Sequence, residues 1–83
     1  MPTRLVVLAT PEGWRHSVFS VDGGVFCGRL SEVAVGADPA EARAAAAAMV
    51  AALTRDFHGA DVEVTWELAR EPGTWTAHVT AGA

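Results

Sequence analysis

From Asp38 to His58 the chain reads DPAEARAAAAAMVAALTRDFH, the only stretch long and regular enough to form a helix of several turns. Asp38 suits the N-cap, Pro39 the first helical position where its missing N–H costs nothing, and Glu41 completes a D-x-x-E capping pattern. The alanine-dominated run that follows has maximal helix propensity, and Gly59 suits a left-handed C′ residue. At about 100° per residue, Ala42, Ala45, Ala46, Met49, Leu53 and Phe57 share one face, with Val50 at its edge. That stripe is predicted to face a core. The opposite face, Arg43, Ala44, Ala47, Ala48, Ala51, Thr54 and Arg55, is small and smooth, suited to solvent or to close approach of a second helix.

One helix needs a sheet to pack against. The run Leu5, Val6, Val7, Leu8 within Arg4 to Ala9 suits a strand that is apolar on both faces. Thr10 to Gly13 makes a turn, and Trp14 to Val21 a second strand. Asp22, Gly23 and Gly24 form a tight hairpin turn, and Val25 to Cys27 begins the return strand. Gly28 to Glu32 interrupts it, and Val33 to Val35 is predicted to resume extended structure. Beyond the helix, Asp61 to Leu68 alternates strictly, with Val62, Val64, Trp66 and Leu68 on one face. Thr74 to Thr80 repeats the pattern, and Ala69 to Gly73, including Arg70, is the hairpin loop. Opposed residues of an antiparallel pair share a face. Two registers satisfy this: Trp66 opposite Trp75 with Glu63 opposite His78, or Leu68 opposite Trp75 with Thr65 opposite His78. The expected order is βββαββ, an α+β domain spanning residues 1–83 with one helix laid on one face of an antiparallel sheet.

Charge narrows the partners. The formal net charge is −4, and all six basic residues are arginine, a usage that fits a GC-rich bacterial genome. No basic patch exists of the kind that phosphate-backbone binding requires, so direct nucleic-acid binding is not expected. The apolar residues near the start are too few for a membrane span. The single cysteine, Cys27, excludes an intramolecular disulfide and suggests a reducing, cytoplasmic setting; it reads as a small packed hydrophobe.

His78 opposite Glu63 would pair an imidazole with a carboxylate, but a solvated surface pair asks little of a sequence. His16 and His58 lack the spacing of a zinc site. No catalytic, cofactor or metal residue is assigned. Trp14, Trp66 and Trp75 either fill the core or, with His78, form a partner or dimer surface. A single helix of this length covers roughly 30 Å by 10 Å, hardly enough for five strands, so either the sheet curls strongly around the helix or its uncovered part meets another subunit, most simply through a two-fold dimer.

The passage from Val21 to Leu53, VDGGVFCGRLSEVAVGADPAEARAAAAAMVAAL, resembles the HicB-like antitoxin family. The matching positions are Asp22, Gly23 and Gly24 at the turn, Gly36 before the cap, Asp38 where a threonine is usual, and Glu41 and Ala42 in the helix. The loop Gly28 to Glu32 carries no proline, unlike the family's, and the chain has an amphipathic hairpin in place of a DNA-binding segment. The resemblance implies a partly RNase H-like sheet and helix without nuclease activity. It implies a non-catalytic, antitoxin-like regulatory module that binds a small protein partner and self-associates as a homodimer. The negative charge suits a small basic protein. The alternative is a small-molecule-binding or catalytic subunit with a pocket between sheet and helix and His78 and Glu63 at its rim.

Overall fold

In the computed structural model, which describes residues 1–69 and 71–82, the chain runs β1 (Pro2–Thr10), β2 (Gly13–Ser20), β3 (Val25–Arg29), α1 (Pro39–His58), β4 (Val62–Trp66) and β5 (Thr74–Ala81). The strands form one sheet in the order β3-β2-β1-β5-β4, every neighbouring pair antiparallel. The architecture is α+β, a five-stranded antiparallel sheet with a single helix.

The apolar run of β1 divides between the two faces. Leu5 and Val7 are fully buried on the helix side, flanked by Val18 and His16 of β2 and by Ala77 and Trp75 of β5. Arg4, Val6 and Leu8 point to the other, open face, where the Arg4 guanidinium lies 4.4 Å above the Phe19 ring. Leu30, Val33 and Val79 complete the core with Ala42, Ala46 and Val50 of the helix.

The helix ends follow the cap chemistry. The Asp38 carboxylate accepts the Ala40 N–H at 3.1 Å, and Gly59 adopts the left-handed conformation with its N–H on the Arg55 carbonyl. The buried stripe, however, is Ala42, Ala46, Val50 and Thr54, rotated by about half a residue from the expected one. Phe57, expected inside, is 77% exposed; Thr54, expected outside, is 1% exposed, its hydroxyl donating to the Val50 carbonyl at 2.8 Å. The helix rests on the sheet through its smallest side chains, which permit close approach, and packs over β1, β2 and β4. Met49 and Leu53 are half-buried at its flank, where Leu53 and Phe57 face a groove shared with Phe26 of β3.

One further expectation changes, and one open choice is resolved. Val33 to Val35 are not a strand: the Val33 N–H bonds to the Leu30 carbonyl and the Ala37 N–H to that of Ala34, making successive turns. Leu30 and Val33 reach the core from that loop. In the last hairpin Thr65 lies opposite His78 and Trp66 opposite Ala77, the second of the two registers. The ladder's final bond runs from the Glu67 N–H to the Thr76 carbonyl, and Leu68 turns out into solvent. Arg70, placed in the hairpin loop from the sequence, lies outside the described residues.

Candidate functional site

Trp14, Trp66, Trp75 and His78 do not share a surface. The three tryptophans lie on the helix side of the sheet. Trp14 is 5% exposed, with its ring centroid 5.5 Å from that of Trp75. Trp66 and Trp75 are half-buried beside the core. His78 stands on the open face, its Nε2 2.8 Å from Glu67 Oε2. Glu63, its partner in the first of the two registers, is opposite Thr80, and His78 meets the carboxylate diagonal to it. Neither His78 nor Glu63 rims a space between sheet and helix. Cys27, expected to pack, is exposed on the open face, 3.5 Å from the Ser17 hydroxyl. The three histidines do not converge, and among the described residues no cluster of three metal-ligating side chains occurs.

His16 shares a face of β2 with Trp14 and Val18, all three buried. It sits on the helix side of β2, 4% exposed, stacked on Phe26 with centroids 5.5 Å apart. Its cross-strand neighbour is Gly28, where a Cβ would stand 3.1 Å from Nε2. The bare glycine therefore makes the space the imidazole fills. Nδ1 is buried without a hydrogen-bond partner. Burial, and secondarily the charge of Arg15, hold the His16 pKa below its ordinary value of 6.5. The unfolded chain thus binds a proton that the folded chain refuses, and stability is full above the unfolded pKa and falls as pH drops through it. Urea unfolding at pH 7.5 and 5.5 should show lower stability at 5.5, with His16→Phe removing part of the difference. A wild-type chain equally stable at both would refute the buried neutral imidazole.

The most chemically distinctive surface is the β4 edge. The Gly82 N–H donates to the Asp61 carbonyl at 2.7 Å and the Glu67 N–H to that of Thr76 at 2.9 Å, so the odd-numbered residues of this strand bond to β5. In an antiparallel ladder the alternate residues then turn outward, which leaves the N–H and C=O groups of Val62, Val64 and Trp66 along a free edge. The same edge is bordered on the open face by Glu63 and Glu67, with Asp61 at its start, just ahead of β4. Asp61 meets Arg55 at 3.5 Å with both side chains well exposed, a contact of little energetic weight. On the helix side the Trp66 ring has the Arg43 guanidinium 5.9 Å from its centroid. Free main-chain groups, carboxylates on one side and an aromatic ring on the other are what an added extended strand needs. The strict alternation of Asp61 to Leu68 foretold the acidic face, but nothing local in it said that this strand would be an edge.

No helix among the described residues is long and apolar enough to cross a membrane. No protein-family model matches the chain, and neither a curated protein nor a solved structure matches it.

Proposed function

We propose that this domain is a non-catalytic protein-binding module of the antitoxin-like, HicB-like kind, which holds an extended segment of a small basic partner along β4 and associates with a second copy of itself. The observation that carries the reading is the β4 edge. Three residues with unspent main-chain groups lie beside the carboxylates of Asp61, Glu63 and Glu67. Strand addition draws its affinity from main-chain hydrogen bonds and its selectivity from the side chains flanking the edge. Here the flank is acidic, so a Lys- or Arg-bearing segment is favoured and an acidic one repelled. A sheet edge also needs protection against indiscriminate pairing, for which charge is the usual device; the same carboxylates then choose the partner.

The experiment is an NMR titration with two extended peptides, one alternating valine with lysine, the other valine with glutamate. The lysine peptide should shift the amide signals of Val62, Val64 and Trp66, less so as salt rises and screens the exposed charges. Val64→Pro, which removes an outward N–H and is tolerable on an edge, should abolish the shifts. Equal response to both peptides, or none to the basic one, would exclude this mode of binding.

A further inference from the structure

The other edge of the sheet has the reverse character. Arg29 is the one charged residue of β3, and it stands directly opposite Arg15 of β2, a juxtaposition of like charges that is destabilising in a sheet. Among the described residues neither arginine has an ion-pair partner. The Leu30 N–H donates to the Trp14 carbonyl and the Ser20 N–H to that of Gly24, both at 2.9 Å. The even-numbered residues of β3 therefore bond to β2, while Val25, Cys27 and Arg29 turn their N–H and C=O groups outward. Because α1 does not reach over β3, an apolar groove of about 330 Å³ opens on the helix side, lined by Phe26, Leu53 and Phe57 among others. Phe26 is 55% exposed.

We propose that a second copy of the chain occupies this edge, β3 pairing antiparallel with β3 about a two-fold axis through Cys27. The inference rests on the self-association in the function proposed above and names the surface that carries it. In this register Cys27 faces Cys27 of the second copy and Val25 faces its Arg29, so every outward main-chain group of both strands finds a partner. A slip of two residues leaves some of them unmet, and a slip of one would turn one copy's faces over.

Charge selects the same arrangement. β3 begins at the Asp22 turn and ends at Arg29, so antiparallel pairing brings each guanidinium alongside the other copy's Asp22 turn and keeps the two Arg29 residues apart. β4 paired with itself would gather the carboxylates of Asp61, Glu63 and Glu67 from both copies. β3 paired with β4 would join copies head to tail, giving a ring or a filament rather than a two-fold dimer.

The two-fold axis also sets both helices on the same side of a ten-stranded sheet, so the groove of each copy is walled by the other. With roughly 150–250 Å² per aromatic side chain, the exposed parts of Phe26 and Phe57 alone would bring on the order of 250 Å² toward the roughly 800 Å² per partner of a standard interface.

The test combines light scattering with three probes. The wild-type chain should have the mass of two copies, and a short bifunctional thiol reagent should bridge Cys27 to Cys27. Cys27→Pro removes an outward N–H and the thiol beside Ser17 while sparing the main-chain bonds to β2, and should yield a monomer with an amide spectrum unchanged away from β3. Arg29→Glu sets a carboxylate opposite Arg15 within the chain and near Asp22 of the second copy, so it should weaken the dimer while the chain stays folded with an amide spectrum unchanged away from β3. If Cys27→Pro fails to fold, Arg29→Glu and the thiol bridge decide the matter. A dimer that persists in the variants, with no thiol bridging, would overturn the β3 surface and leave self-association standing. A wild-type monomer at every concentration would overturn both, and mass growing beyond two copies would replace the closed dimer with an open-ended contact.

Discussion

Trp14→Ala should destabilise the domain by about 3–5 kcal/mol, the range for truncating a buried aromatic, measured as a shift in the urea midpoint at constant slope. Trp14 is almost wholly enclosed and lies against Trp75. Its removal empties a large volume that the rigid ladder on either side cannot collapse into. It also leaves the Trp75 ring with one flank bare. A loss below about 1 kcal/mol would mean that Trp14 is at the surface, as its place among the candidate partner residues first allowed.

Leu5→Ala should cost about 2–5 kcal/mol, and Leu8→Ala clearly less. The two residues are three apart on β1 and so on opposite faces. Leu5 is fully enclosed between Val18 and Ala77 under the helix, whereas Leu8 is half-buried on a face that nothing covers. Comparable losses in the two variants would contradict this division of the strand. The pair is a sharper probe than either substitution alone, because both start from the same side chain in the same element.

The contrast between Leu5 and Leu8 also shows where reading the residues stops. An unbroken run of four apolar residues has no period of two, so the sequence could place a strand there without saying which of its residues faces the helix. Where alternation was strict, as in Asp61 to Leu68 and Thr74 to Thr80, faces were legible, and the register narrowed to two choices of which one occurs. The helix was legible at its ends because caps are local chemistry: Asp38, Pro39 and Gly59 act on their immediate neighbours. Its rotation was not legible. Hydropathy weighted Met49, Leu53 and Phe57 as the core, but the distance between helix and sheet is set by the smallest residues, Ala42 and Ala46.

The candidate surfaces were hidden for a related reason. That β3 and β4 are the two edges depends on β5 inserting beside β1, which no local pattern encodes. The burial of His16 depends on Gly28 lying opposite it, a cross-strand relation invisible until the register of β2 and β3 is known. The exposure of Cys27 follows from the same register.

The insertion of β5 between β1 and β4 has a consequence for how the chain reaches its native state. β1, β2 and β3 are successive neighbours and can assemble as a local meander, but the other side of β1 must wait for a strand that follows everything else. Closing so long a loop delays non-local pairing. Until Ala77 docks beside Leu5, β1 presents an open apolar edge in the middle of the future sheet, and such an edge is what a partly folded chain most readily offers to its neighbours. The docking of β5 beside β1 is what closes that edge.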